Sequence, residues 1–204
     1  GVDLATSAGV LVYVAAWLWT FHGFLVNVLD VLRDPRDRVT YPGLSAFAAL
    51  IWLTVAMLWY AVRLAMPIDL PEIPTLALLL GFAAQLLIGT MSYLLPTTMG
   101  GGPSAVRAGL REYNRWGLGR SVFINGGLAL WLATSSSLTM VAASLLCLGS
   151  MAVLPILTAR AVKAQKAVLL KKAEGPAPTS TTDWDQVWVA LAVLSILGGL
   201  SLIL

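Results

Sequence analysis

Long apolar runs alternate with short gaps along this chain, and the basic residues fall almost entirely in every second gap. That arrangement constrains the fold more than any motif does. An apolar run of about 20 residues can cross a bilayer as a helix, the one open-ended element that satisfies its own backbone where no water reaches. Six runs qualify, at 7–32, 43–66, 75–96, 119–137, 138–158 and 186–204. The expected fold class is therefore all-α: a polytopic transmembrane helical bundle of about six spanning helices, forming a single integral membrane domain over 1–204.

The gaps set the expected orientation. The first holds Arg33, Arg36 and Arg38, the third Arg107, Arg111, Arg115 and Arg120, and the fifth Arg160, Lys163, Lys166, Lys171 and Lys172; of the 13 basic residues only Arg63 lies elsewhere. Basic residues resist translocation, so the odd gaps are expected in the cytoplasm and both termini outside it. A chain with 58% hydrophobic and 11% charged residues and a mean hydropathy of +0.83 leaves no room for a large aqueous domain. The sequence pI of about 9.3 does not point to nucleic acid, because the cations flank apolar segments, where anionic headgroups of the inner leaflet are the nearer partner. The single cysteine, Cys147, lies inside an apolar run and reads as a small core residue. Gly1 runs almost directly into the first span and Leu204 stops within the last, so the chain is expected to be part of a longer one.

Local signals fill in the elements. Pro67, Pro71 and Pro74 make the second gap a stiff loop. In the third run, Gly81, Gln85, Gly89 and Ser92 recur at spacings of four and three, a small-residue face suited to close helix contact in lipid. Gly100, Gly101, Gly102 and Pro103 stop that helix, and Ser104 to Trp116 resumes as an amphipathic interfacial helix with Arg107, Arg111 and Arg115 along one stripe. Ser135, Ser136 and Ser137 mark a hairpin tip, and 173–183, with Gly175, Pro176, Pro178 and a Ser/Thr run, reads as a flexible cytoplasmic linker before the last helix.

Few residues here can carry chemistry. His22, the only histidine, sits about halfway along the first run, where an ionisable group is a functional candidate by default. A neutral imidazole at that depth either hydrogen-bonds across a helix interface or serves as an axial ligand to haem, such as haem b, with the second ligand supplied by methionine, another copy of the chain or a partner. Gln85, at similar depth, either supports His22 as a second-shell group or joins two helices. Trp17 and Trp19 beside His22 can wall a flat cofactor or simply pack. Asp30 can pair with Arg33. No phosphate loop, zinc motif, serine elbow or paired intramembrane carboxylate is present, so no catalytic residue and no metal site is assigned.

The run Gly81-Phe82-Ala83-Ala84-Gln85-Leu86-Leu87-Ile88-Gly89-Thr90-Met91-Ser92-Tyr93-Leu94-Leu95-Pro96, followed by Gly100, Gly101, Gly102, Pro103 and Arg107, resembles a segment of actinobacterial membrane-anchored multicopper oxidases, also described as copper nitrite reductase-like. In those proteins a multi-helix membrane region precedes extracytoplasmic cupredoxin domains. The resemblance implies a role in anchoring, with electron delivery from the membrane as an extension, and a C-terminal cupredoxin region or a partner membrane subunit as the partner. No His-Cys-Met copper ligand set exists in these residues, so copper belongs only to domains outside this sequence. Two alternatives come from the residues themselves: a transporter or channel subunit with a polar path at Gln85, Asn125 and the serine hairpin, and a structural assembly subunit.

Overall fold

The computed structural model describes residues 4–33, 39–66, 72–177 and 182–203. Among these residues every regular element is helical and no strand occurs. The chain runs through α1 (Leu4–Arg33), α2 (Tyr41–Ala65), a π-helix (Ala77–Ala84) continuing into α3 (Gln85–Met99), α4 (Gly102–Tyr113), α5 (Gly117–Ala133), α6 (Ser137–Ala152), α7 (Leu154–Leu169) and α8 (Asp185–Ile203). The all-α bundle is thus present.

Five helical stretches are long and apolar enough to cross a membrane: Ala8–Asp30, Tyr41–Leu64, Ala77–Met99, Ser137–Leu169 and Asp185–Leu202. The run expected at 119–137 becomes the 17-residue α5, about 25 Å long at 1.5 Å per residue and so short of the ~30 Å hydrocarbon core. It pairs with α6 across the turn at Thr134–Ser136, and the run expected to end at 158 continues instead as α6 and α7, stepping at Val153 ahead of Pro155. Arg33, the α4 and α7 cations and Arg120 share one end of the bundle, called the basic end below. Arg63 stands at the other, its guanidinium 5.8 Å from the Trp59 ring.

Small residues fix how the helices meet. Gly81, Gln85, Gly89 and Ser92 are all buried, as their spacing predicts. A Cβ on Gly81 would lie 2.5 Å from Trp52 Cγ, and one on Gly89 2.7 Å from Ser45 Cβ, so the bare glycine backbone takes the Trp52 and Ser45 side chains of α2 directly against it. The π-helix explains why a spacing of four keeps to one face. Residues four apart overshoot a turn of 3.6-residue α-helix and fall short of a wider π turn, so the two drifts offset along the seam.

At the basic end α4 lies antiparallel against α7. Its buried face, Ala105, Ala108, Gly109 and Tyr113, meets Leu157, Ala161 and Gln165. The apolar arc of this amphipathic helix is therefore spent on protein contact. Tyr113 Oη donates to Thr158 Oγ1 at 2.9 Å, and Glu112 accepts from Arg160 Nε at 2.9 Å with Arg115 at 3.6 Å. Gln165 Nε2 donates to the carbonyls of Pro96 and Gly100, both at 2.8 Å, closing the end of α3 onto α7. Gly100, Gly101 and Gly102, with φ of 66°, 92° and 85°, make the reversal between α3 and α4 that side chains with a Cβ would resist. Of the linker at 173–183, residues 178–181 lie outside the described residues; before them, the Pro176 carbonyl accepts from Arg107 Nε at 3.2 Å.

Candidate functional site

The imidazole of His22 points away from the bundle. α1 packs on α2 through a stripe of half-buried residues, Val10, Val14, Trp17, Phe21, Phe24 and Val28. Trp17 Nε1 donates to Thr54 Oγ1 at 2.9 Å, and Phe24 stacks on Phe47 with centroids 6.3 Å apart. His22 falls on the exposed face, three residues from Trp19, which is 84% exposed. Trp17 and Trp19 therefore look in different directions and do not wall His22 together. Asp30 pairs with Arg33 at 3.3 Å on the open surface.

Gln85 is nowhere near that face. It is fully buried on the α2–α3 seam, and neither its amide nitrogen nor its oxygen has a hydrogen-bond partner, so it makes no bond to His22. Asn125, by contrast, has a partner at each end of its amide: its Oδ1 accepts from Trp52 Nε1 at 2.8 Å and its Nδ2 donates to the Ser121 carbonyl at 2.7 Å. It stitches α2 to α5.

The interior feature that counting cations gap by gap passes over is Arg120. Counted by position among the loop cations, it lies in the first turn of α5 and is only 6% exposed. Its Nη2 donates to the Tyr113 carbonyl, and its guanidinium carbon sits 4.0 Å from the centroid of the Tyr41 ring. Among the described residues no carboxylate comes within ion-pair distance of it, and Nε and Nη1 have no partner. The buried hydroxyls of Tyr41 and Ser45 lie against one another beside it, and that of Ser121 has no partner. The Tyr41 and Ser45 hydroxyls belong with Arg120: the Tyr41 ring lies against the guanidinium, Ser45 is one turn beyond Tyr41 on α2, and Gly89, one turn from Gln85, packs on Ser45. A buried polar group without a partner costs roughly 1–3 kcal/mol, and more when charged, so such groups gathered in one place are unlike an ordinary helix interface.

Local structure holds the arrangement in place. Asn114, between α4 and α5, accepts from the Tyr41 backbone N–H at 2.7 Å and donates to the Leu110 carbonyl at 3.1 Å. Trp116 takes a left-handed conformation, φ 52°, and stacks on Phe123 with centroids 5.7 Å apart, turning the chain sharply into α5. Gly117 lets Tyr41 approach, since a Cβ there would be 3.0 Å from Tyr41 Cβ. A small cleft runs to this point at the basic end, lined by Tyr41, Asn114, Gly117, Asp183 and Gln186 among others. The Asp183 carboxylate on its rim accepts from Gln186 Nε2 at 2.9 Å.

Two signals for this cluster were present in the sequence. Arg120 breaks the four-residue step of Arg107, Arg111 and Arg115, and it directly follows Gly117 and Gly119, which mark close packing. For Tyr41 and Ser45 no signal distinguishes them from interfacial residues. Comparison with protein family models, with curated proteins and with solved structures returns no match.

Proposed function

We propose that this chain is the membrane-embedded domain of an extracytoplasmic redox assembly, holding a copper oxidase or nitrite reductase-like partner at the bilayer. The basic end faces the cytosol and its anionic lipid, and both termini emerge on the opposite side, toward the partner. The observation that carries the reading is the outward imidazole of His22 on a helix attached to the bundle almost entirely through α2. An ionisable group near mid-depth that faces away from its own protein is costly unless something meets it.

The residues fit haem as half a site. His22 supplies one imidazole on an open helix face, and Trp19 on the same face supplies a flat apolar neighbour; among the described residues no second ligand stands opposite. A haem held there between subunits would carry single electrons across the membrane. The chain's own part is to hold the imidazole at a fixed depth through the Trp17–Thr54 and Phe24–Phe47 contacts. The test is an absorption spectrum of the assembly purified after haem-replete expression. A Soret band is expected, and His22→Ala should abolish it while leaving the melting temperature of the bundle within a degree or two, because the side chain is exposed. Colourless wild-type protein removes haem from the reading.

A second reading, a transporter or channel subunit, is favoured by one observation, the buried and unpartnered amide of Gln85 on the α2–α3 seam. Solute or ion flux in proteoliposomes, lowered at least severalfold by Gln85→Leu, is what this reading expects. Tight vesicles with the wild-type chain count against it.

A further inference from the structure

We propose that Arg120, together with the hydroxyls of Tyr41 and Ser45, forms an internal binding site for a small monoanion of the carboxylate class. The inference rests on neither functional reading above; it follows from which donors and acceptors the bundle encloses.

An arginine side chain does not shed its proton at any ordinary pH, so burial cannot neutralise it. A buried cation is tolerated when it is paired and hydrogen-bonded. Arg120 has one carbonyl acceptor, Tyr113, and one aromatic face, Tyr41, which together engage only part of the guanidinium. Nε and Nη1 still point at no acceptor. The neighbouring Tyr41 and Ser45 hydroxyls use one O–H group between them and keep the other to donate, and the Gln85 amide lies about one turn deeper with neither its nitrogen nor its oxygen partnered. Donors still outnumber acceptors here, because a guanidinium only donates, and among the described residues its positive charge meets no carboxylate.

That balance selects the ligand. A metal cation is repelled by Arg120. A neutral solute satisfies hydroxyls but leaves the charge. A dianion brings a second negative charge into a site with a single cation. A singly charged oxyanion neutralises the guanidinium and accepts from several donors through its two oxygens, the geometry in which arginine binds carboxylates most strongly. The cleft bounded by Tyr41, Asn114, Gly117, Asp183 and Gln186 gives the approach, with Tyr41 common to cleft and site. Asp183, held by Gln186 at the rim, is close enough to the entrance to disfavour highly charged anions.

The experiment is a thermal melt of the purified full chain in detergent at constant sodium, exchanging chloride stepwise for formate or acetate. Wild-type protein should gain melting temperature saturably. In Arg120→Gln the half-saturating concentration should rise at least about tenfold, as loss of a charge-assisted hydrogen bond predicts. Should Arg120→Gln fail to fold, the double variant Tyr41→Phe, Ser45→Ala decides, because it keeps the cation and the ring beneath it; its half-saturation should rise severalfold. No saturable gain in wild type, which would mean that water alone satisfies the donors, overturns the site. Equal half-saturation in wild type and in whichever of the two variants folds overturns it as well.

Discussion

Gly127→Val should destabilise the bundle by about 3 kcal/mol, the upper range for overpacking a close-packed contact. A Cβ at Gly127 would lie 2.9 Å from the Ala143 carbonyl oxygen and 3.2 Å from the Cys147 backbone nitrogen. Both obstacles are helix backbone, which cannot rotate aside, so α5 and α6 would have to separate. Doing so would open the cluster of Ile124, Leu128, Cys147 and Met151. Gly149→Ala on α6 is the matched control: nothing stands within 4 Å of its Cβ position, and alanine improves helix propensity there. Unfolding of the two variants in mixed micelles by increasing denaturing detergent distinguishes them. If Gly127→Val unfolds at the same point as Gly149→Ala, the backbone contact between α5 and α6 is wrong.

Gln165→Leu should cost a similar amount for a different reason. Leucine matches the volume of the side chain but cannot donate, and the Pro96 and Gly100 carbonyls would each lose a 2.8 Å bond. At about 1–3 kcal/mol for each buried group left unpaired, a loss of roughly 3 kcal/mol is expected. The Pro96 carbonyl lies deeper than that of Gly100 and should account for most of it. The damage should be local first. Limited proteolysis ought to find the Met99–Gly102 reversal cut many times faster in Gln165→Leu than in wild type, while the α5–α6 pair stays protected. Unchanged cleavage would show that the clamp between α3 and α7 does not hold the reversal.

Much of the architecture was legible because membrane length and charge asymmetry act on whole segments. Apolar runs marked the helices, and the alternate basic gaps marked which helix ends lie together. What hydropathy could not reveal is which side of each helix faces protein. On α1 the inward stripe from Val10 to Val28 is as apolar as the outward face, so the environment of His22 was undetermined until its neighbours were placed. The α3 face was readable because glycine, glutamine and serine among large apolar residues betray close contact. The fourth run, drawn to 137, took in the hairpin tip that Ser135 to Ser137 had themselves marked: the helix stops at Ala133, and the polar Thr134 to Ser136 form the turn. Arg120 was misplaced by the rule that makes charge useful: a cation beside an apolar run is normally in a loop. Only the third dimension shows that α4 and Tyr41 close over it. Gln165, spaced by fours from Leu157 and Ala161 on a basic helix, carried a fair sequence signal of its burial.

The α4–α7 pairing has a consequence for biosynthesis. When α4 leaves the ribosome its buried strip, Ala105, Ala108, Gly109 and Tyr113, has no companion, because Leu157 to Gln165 have yet to be translated. The α5–α6 hairpin must enter the bilayer first, and only then does the returning α7 shelter that strip. Maturation of this end is thus ordered by translation, and a chain halted before Leu157 would present an unsheltered alanine and tyrosine strip to quality-control proteases.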